Sequence, residues 1–300
     1  MNISIIGANS FLAKNLISYL NIEGKYKIQA YCRNNMGDQK RYAYPDWGVE
    51  KISIEELLKS DIIIYAAGAG VQPNHGESED IIQELNANEP IRLIKRLNDH
   101  NYLGKMITFG SYFEIGISAE HQAYTESMIA SNDNPLPNVY CSSKRTLTKF
   151  IAKQLGSFSH NHLHLILTNI YGMGENQHRL LPYLAQSIKN KIEIKLTSGD
   201  QVRQYTHISD VVNIIVKSFN NSFSGILNFT APTCLSIQEL VIKFASLTNY
   251  PIDKLIFNSV QKRDVNMNHL SLNISKLLSI HQDQKFTPLE TGLKSYLKSD

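Results

Sequence analysis

The first thirteen residues combine a short apolar run with a glycine turn and the start of a helix. Ile3–Ile6 is apolar apart from Ser4, and Gly7 follows it directly. A helical pattern comes next and places four apolar side chains on one side, namely Leu12, Leu16, Ile17 and Leu20. A short, mostly apolar run is typical of a strand buried on both faces, as in a parallel sheet. Because parallel strands are usually joined by helices, this start predicts an α/β fold.

Apolar strand patterns and helical patterns alternate through the first half of the chain. The predicted strands are Ile28–Tyr31, Asp61–Gly70 and Met106–Phe109, and the predicted helices cover residues 54–59 and 80–97, with an interruption near Pro90. We expect a Rossmann-type doubly wound parallel sheet, formed mostly by residues 1–168, with residues 201–230 returning to it. A smaller substrate-binding lobe is expected from residues 169–200 and 231–300.

The turn between the first strand and the first helix is a candidate phosphate site. Free N–H groups and the helix dipole at a helix N-terminus both favour a pyrophosphate. Ser10 stands where a glycine would let the backbone approach phosphates closely, so its Cβ is expected to weaken cofactor binding. A strand-to-helix turn without a ligand is the alternative that this turn alone would favour. The residues predicted to bind a cofactor here are Gly7, Asn9, Ser10, Phe11 and Leu12.

The ends of the second and third strands extend this candidate cofactor site. Where an acidic residue would bind the ribose of NAD, the chain has Cys32 followed by Arg33. An arginine accommodates the 2′-phosphate of NADP, so NADP(H) is predicted rather than NAD(H); a solvated surface arginine is the alternative. Ala66, Ala67 and Gly68 end the third strand. Such small residues let the backbone approach a ligand closely, and they are predicted to bind the cofactor too.

Tyr140 and Lys144 form the candidate catalytic pair. Four residues apart on a helix, their side chains would lie on one face, one turn from each other. An ammonium group beside a phenol favours the phenolate, so Lys144 is expected to lower the Tyr140 pKa from about 10. Such a tyrosine can exchange a proton with a carbonyl or alcohol oxygen. The same spacing recurs at Tyr250 and Lys254, where Pro251 disfavours a helix.

Ser111 follows the fourth predicted strand and completes the candidate catalytic set. Ligands of open α/β sheets bind outside the carboxyl ends of the strands. Ser111 is therefore predicted to hydrogen-bond a substrate oxygen, and a plain turn residue is the alternative.

Composition and chain layout exclude several function classes. The net charge of +3 over 300 residues is too small to indicate a nucleic-acid or anionic-membrane partner. Three cysteines, far apart and without CxxC spacing, argue against a disulfide framework and a zinc site. The longest apolar run, Ile62–Val71, is too short to span a bilayer, and the N-terminus lacks a signal-peptide layout. We expect a cytoplasmic protein without a metal. The alternating His160, His162 and His164 have no evident carboxylate partner for a metal site.

Taken in order, these motifs resemble the extended short-chain dehydrogenase/reductases. The glycine turn, the strand-end serine and the Tyr140–Lys144 motif come first. Five later landmarks of the sugar-nucleotide branch, the NAD-dependent epimerase/dehydratase family, follow in the family's order, namely Leu165–Gly172, Arg179–Pro182, Gly199–Val211, Gly225–Phe229 and Phe286–Leu293. The resemblance covers nearly the whole chain.

The resemblance implies roles for individual residues. Ser111, Tyr140 and Lys144 would be catalytic, and the residues matching Asn169 and Arg203 hold the substrate diphosphate in this branch. Guanidinium and amide groups suit phosphate oxygens. The residues predicted to bind substrate are Ser111, Tyr112, Asn169, Arg179, Arg203 and Arg263. The implied partner is a nucleotide-diphosphate sugar, and members often form homodimers through the Tyr140 helix and the helix near residues 80–97.

The resemblance also narrows the reaction. Dehydratases of this branch carry Asp-Glu directly after the active-site serine or threonine, whereas Ser111 is followed by Tyr112 and Phe113. Epimerases usually have an acid where this chain has Cys32 and Arg33. The chain is most similar to the NADPH-dependent 4-ketoreductases that finish deoxysugars of the CDP-abequose or dTDP-fucose type for surface polysaccharide. A 4-epimerase of the same family and a non-catalytic NADP(H)-binding sensor remain the alternatives.

Overall fold

The computed structural model describes residues 1–32, 40–41, 48–71, 76–118, 120–261 and 266–297, with the backbone alone at 40–41. Its strands are β1 (Asn2–Ile6), β2 (Lys27–Cys32), β3 (Lys40–Arg41), β4 (Ile62–Tyr65), β5 (Lys105–Ser111), β6 (Ala123–Tyr124), β7 (Asn161–Leu167), β8 (Asn169–Tyr171), β9 (Ile194–Lys195), β10 (Val202–His207), β11 (Gly225–Phe229), β12 (Cys234–Ser236), β13 (Leu255–Ile256) and β14 (Ser271–Leu272). Its α-helices are α1 (Phe11–Glu23), α2 (Ile54–Leu57), α3 (Glu79–Gln83), α4 (Glu89–Asp99), α5 (Glu126–Ser131), α6 (Val139–Gln154), α7 (Leu180–Lys189), α8 (Ile208–Ser218), α9 (Ile237–Leu247), α10 (Ser275–Ile280) and α11 (Leu289–Ser295).

Seven strands form the main sheet, in the order β11-β7-β5-β4-β1-β2-β3. Every neighbouring pair in it is parallel. The carboxyl ends of β1, β4, β5 and β7 therefore lie along one edge of the sheet. Gly7, Ala66, Ser111 and Thr168 stand at or just beyond these ends. The topology thus brings four distant parts of the chain to the same place.

Alternation along the strands supplies an apolar core on each face of the sheet. Ile3 and Ile5 of β1 pack with Leu16 of α1 in one core, which also contains Val211 of α8. Ile6, the next residue of β1, belongs to the opposite core, which Leu93 of α4 and Leu147 of α6 help to form. Fully burying one such side chain contributes about 1.5–3 kcal/mol, so both helical layers are bound firmly to the sheet. The predicted doubly wound parallel sheet is confirmed.

Three small sheets contain the remaining strands, and one of them pairs β14 with β6 of the first half of the chain. They have the orders β12-β10-β8, β13-β9 and β14-β6. A third apolar cluster lies in this part and contains Leu181 and Leu184 of α7, Phe244 of α9 and Leu293 of α11. Strand β11 instead pairs with β7 at the edge of the main sheet.

The helical segment predicted at residues 80–97 continues past Pro90 without a break. A π-helical stretch, Glu84–Asn88, joins α3 to α4, and Pro90 lies in the first turn of α4. A proline is tolerated there, and the Glu89 N–H donates to the Glu84 carbonyl across the π-helical stretch. No helix in the part of the chain that the structure describes is long and apolar enough to cross a membrane.

Candidate active site

Two adjoining cavities lie at the carboxyl edge of the main sheet. The smaller has a volume of about 240 Å³ and the larger about 460 Å³. Four residues line both of them, namely Val71, Phe113, Asn169 and Arg179. A molecule that spans these shared residues could contact both spaces at once.

The smaller cavity gathers most of the residues that the sequence predicts for a cofactor. Its lining includes Ser10, Phe11, Leu12, Ala66, Ala67, Gly68, Tyr140 and Lys144. A Cβ added to Gly68 would lie 3.0 Å from Asn86 Oδ1 and 4.0 Å from Lys144 Nζ. These small residues keep the cavity open beside the lysine, and the first N–H groups of α1 lack partners within the helix. The residues present therefore fit a dinucleotide.

Gly7 and Asn9, also predicted to bind the cofactor, are not among the residues that line the smaller cavity. Gly7 has a φ of +88°, and a Cβ there would collide with the backbone of Ala66 and Ala67. The close approach of the β1 and β4 ends therefore requires a glycine, and its contact with a cofactor stays a prediction. Ser10 is the N-cap of α1, and its hydroxyl accepts a hydrogen bond from the Ala13 N–H at 3.2 Å. Its side chain therefore stabilises the turn that the cofactor would meet.

Ser111, Tyr140 and Lys144 all line the smaller cavity. Ser111 is the last residue of β5, while Tyr140 and Lys144 lie one turn apart near the start of α6. That helix begins where it does because Asn138 caps it, with the Cys141 N–H donating to Asn138 Oδ1 at 3.0 Å. The Ser111 hydroxyl is near enough to the Tyr140 phenol to lower its pKa. The predicted set is thus brought together by one strand end and one helix start.

The expected effect of Lys144 on Tyr140 is wrong. Burial raises the pKa of Tyr140 to about 12, and the neighbouring Ser111 side chain offsets this only in part. Burial also lowers the pKa of Lys144 to about 8. The Lys144 ammonium donates to the carbonyl oxygen of Phe109 at 3.1 Å. Desolvation therefore governs both groups, and a helical spacing alone does not place the ammonium against the phenol.

Asn86 is a polar residue of the site that sequence reasoning missed. It is 1% exposed and lies in the π-helical stretch. Its side chain accepts from the Ala69 N–H at 3.0 Å and donates to the Ala69 carbonyl and to Ser143 Oγ at 2.9 and 3.0 Å. It thereby ties the segment after β4 to α6. An asparagine inside an apolar helical pattern is the one signal that could have indicated it.

The larger cavity contains three of the predicted substrate-binding residues. Asn169, Arg179 and Arg203 all line it. Arg179 Nη1 donates to the Ile170 carbonyl at 2.8 Å and lies 3.2 Å from Glu175 Oε2. Arg203 is 2% exposed and donates to the carbonyl oxygens of Val202 and Met267, each at 2.8 Å. The larger cavity therefore has two guanidinium groups in its wall, both held by neighbouring backbone.

Tyr112 is not brought to either cavity. It is fully buried in the core, because a 3₁₀ turn, Tyr112–Ile115, directly follows β5 and rotates its side chain inward. Phe113, the next residue, lines both cavities instead. Arg33 and Arg263, predicted to bind NADP and substrate, lie outside the described residues.

The three alternating histidines are buried beside β5 and bind other core side chains. Thr108 Oγ1 is hydrogen-bonded to His162 Nε2 at 2.9 Å and to His164 Nδ1 at 2.7 Å. His160 Nε2 is 3.2 Å from His162 Nδ1. Burial holds the pKa of all three below the usual histidine range, so they are neutral at pH 7. Within the described ranges, no three His, Cys, Asp or Glu side chains are grouped as a metal site would require.

Known proteins resemble this chain in sequence and in fold. CDP-abequose synthase from Salmonella muenchen is 24% identical, over 98% of this chain and 96% of that protein. The fold matches the solved structure of dTDP-glucose 4,6-dehydratase from Bacillus anthracis in complex with NAD, with a TM-score of 0.80, 16% identity, and coverage of 100% of this chain and 97% of the other. UDP-glucose 4-epimerase from Thermotoga maritima, solved with UDP-glucose, gives a TM-score of 0.80 at 16% identity, over 99% and 98% of the two chains.

The family model of the NAD dependent epimerase/dehydratase family matches residues 3–228, about three quarters of the chain. That span contains the glycine turn, Ser111 and the pair of Tyr140 and Lys144. The chain therefore belongs to the NAD-dependent epimerase/dehydratase family.

Proposed function

We propose that this protein uses NADPH to reduce the C4 keto group of a nucleotide-linked 4-keto-6-deoxyhexose. The observation that carries the proposal is the meeting of Ser111, Tyr140 and Lys144 in one cavity, next to a second cavity lined by Arg179 and Arg203. A proton donor and a candidate phosphate site then lie a short distance apart. A nucleotide sugar has its phosphates and its sugar in that same relation.

Tyr140 is the proposed proton donor. Its pKa is raised to about 12 by burial, so the phenol keeps its proton at neutral pH and can give it to the developing C4 alkoxide. Ser111 donates a hydrogen bond to the same oxygen, and Lys144 stabilises the phenolate that remains. A bound NADPH would supply the hydride. Ser10, Phe11, Leu12 and the small residues after β4 would hold it in the smaller cavity.

The substrate diphosphate is proposed to lie between Arg179 and Arg203, with Asn169 donating to it. Guanidinium groups bind phosphate oxygens in pairs of hydrogen bonds, and both arginines are already oriented by backbone carbonyls. The relative named as a CDP-abequose synthase supports a nucleotide-linked deoxysugar as the substrate class. The two lobes would divide the work as the sequence predicts, with residues 1–168 and 201–230 holding the cofactor and the remainder holding the nucleotide.

A reductase rather than a dehydratase is proposed because Tyr112, the residue after Ser111, is buried in the core. It cannot supply the acid and base that removal of water needs. NADPH rather than NADH is proposed from Cys32 and Arg33. A homodimer built on α6 and on the helix formed by α3 and α4 is proposed from the family resemblance.

The proposal is tested by following NADPH absorbance with a panel of dTDP-, CDP-, UDP- and GDP-4-keto-6-deoxyhexoses, with NADH run in parallel. Turnover of one nucleotide with a preference for NADPH supports it. Interconversion of C4 epimers without net cofactor oxidation would identify an epimerase. Tight NADPH binding without turnover of any sugar would identify a cofactor sensor.

A further inference from the structure

Directly behind the catalytic set lies a carboxyl group that the proposed mechanism does not use. Glu114 is in the 3₁₀ turn after β5, and its side chain is fully buried. Its Oε1 accepts a hydrogen bond from the Ser111 N–H at 2.6 Å. A buried carboxylate is costly unless donors and positive charges surround it, so the position requires an explanation.

The groups facing Glu114 come from β5, α6 and β7. Lys144 and Arg145 of α6 are the positive charges near it, and Glu114 Oε2 has no hydrogen-bond partner among the described residues. His164 of β7 is the neighbour beside Gly110 of β5. A Cβ added to Gly110 would lie 2.7 Å from His164 Nε2 and 2.6 Å from Glu114 Oε1. The Arg145 Nε donates to the backbone carbonyl of Glu114 at 2.9 Å, which fixes the turn. His164 is neutral, so the charge balance at Glu114 depends on the two cations.

Glu114 is coupled to every member of the catalytic set. It bonds the backbone of Ser111, and its charge raises the pKa of both Tyr140 and Lys144. Burial raises the pKa of Glu114 itself to about 7. The carboxyl group therefore changes charge close to neutral pH, next to the groups that would transfer the proton.

We propose that Glu114 is a positioning residue that controls the charge of the active site through Lys144 and Tyr140. This inference rests on the proposed reduction, because it assigns Glu114 a task in that reaction. The ionised carboxylate keeps Lys144 as an ammonium ion and keeps the proton on Tyr140. Both conditions favour a site in which the tyrosine acts as an acid.

The sign of the pH effect follows from these contacts. Above about pH 7 Glu114 is ionised and supports the ammonium form of Lys144 up to about pH 8. Removing the charge lowers the Lys144 pKa, so the ammonium form is lost at a lower pH. Activity then falls earlier on the alkaline side.

The variant E114Q removes the charge of Glu114 and keeps the size and shape of its side chain. Ser111 and Glu114 form a capping box, and glutamine serves in that motif as well as glutamate does. The profile of kcat/KM against pH is measured for the wild type and for E114Q. We expect the alkaline limb to move down by about one pH unit. An alkaline limb that stays at the wild-type pH in a folded E114Q would overturn the proposal and leave Glu114 as a helix cap only.

E239Q is the matched control. Glu239 belongs to the second capping box, with Ser236 at the start of α9, and it is exposed. The same chemical change is made there, away from the catalytic set. We expect its kcat/KM and its pH profile to equal those of the wild type.

An infrared titration separates a failure of this inference from a failure of the proposed function. In the substrate-free wild type, the C=O band of a buried carboxylic acid should disappear as pH rises through about 7, and E114Q should lack that band. In K144M the midpoint of the same band should move to higher pH, because coupling between two groups is reciprocal. A midpoint unchanged by K144M, or no such band, would overturn the proposal even if no sugar nucleotide is turned over.

Discussion

At the scale of single residues, desolvation outweighs the charge interactions that sequence spacing suggests. Tyr140 and Lys144 are one turn apart, yet burial raises the pKa of the first and lowers that of the second. The raised pKa of Tyr140 suits the proposed reduction, in which the phenol must hold its proton until the keto group accepts it. The lysine then acts mainly after proton transfer, when a phenolate has formed beside it.

The first prediction concerns the hydroxyl of Tyr140. Y140F should lower kcat by about 10²–10⁴-fold, because it removes the proton donor and leaves the ring packing in place. The thermal midpoint of unfolding and the Kd for NADPH, measured by scanning calorimetry and by quenching of protein fluorescence, should stay close to wild type. A Y140F enzyme with near-normal kcat would contradict the role given to the phenol.

The second prediction concerns Gly110, which leaves room for Glu114. A Cβ at this position would lie 2.6 Å from Glu114 Oε1 and 2.7 Å from His164 Nε2. G110A should therefore lower the free energy of unfolding by about 1–3 kcal/mol, measured by urea denaturation. Gly156 offers the control, since an added Cβ there meets nothing within 4 Å. G156A should match the wild type or exceed it slightly, and equal losses in both variants would exclude steric crowding as the cause.

At the scale of elements, the structure shows which kinds of information a sequence carries. The strand and helix patterns predicted the main sheet, and Gly68 and Ser111, at or just after two strand ends, both line the smaller cavity. The helical spacing of Tyr140 and Lys144 is confirmed by α6.

The predictions that failed concern the orientation and burial of side chains. The 3₁₀ turn that buries Tyr112 and exposes Phe113 to the cavities depends on packing that no local pattern records. The role of Asn86 depends on a loop and a helix that are distant in sequence.

The third prediction tests the buried contact between β5 and β7. Thr108 is fully buried and bonds two histidines of β7. T108V should destabilise the protein by about 1–3 kcal/mol, because it leaves buried ring nitrogens without their partner. Thr146 is exposed on α6, and its hydroxyl bonds only the Ser142 carbonyl among the described contacts. T146V should change the unfolding free energy by less than about 0.5 kcal/mol, and a comparable loss there would refute the hydrogen-bond explanation.

The fourth prediction follows from the neutral histidines of this contact. Burial lowers the pKa of His160 to about 4 and that of His164 to about 3. The unfolded chain therefore binds more protons below pH 6.5, and the free energy of unfolding should fall as pH drops from about 6.5 towards 4. H160Q, which keeps a polar group near the Nε2 position, should make this decline shallower. Urea unfolding at several pH values measures it, with H178Q at an exposed histidine as control, and an equal slope in H160Q would count against the account.

At the scale of the whole molecule, the two adjoining cavities are the candidate binding space. One is lined by the turn after β1, the small residues after β4 and the candidate catalytic set, and the other by the arginines of the later part of the chain. Because Asn169 and Arg179 line both, a bound nucleotide sugar and a bound cofactor would share part of one wall. Binding of either should therefore affect the affinity for the other.

The measurement that tests the central claim most directly is the transfer of a labelled hydrogen. The protein is incubated with the nucleotide-linked 4-keto-6-deoxyhexose that it turns over and with NADPH deuterated at C4, in both stereochemical forms. Nuclear magnetic resonance then locates the label in the sugar. The account predicts one deuterium at C4 of the sugar from one of the two forms, with an equal amount of NADP⁺ formed. An unlabelled sugar with the NADPH unchanged would contradict it.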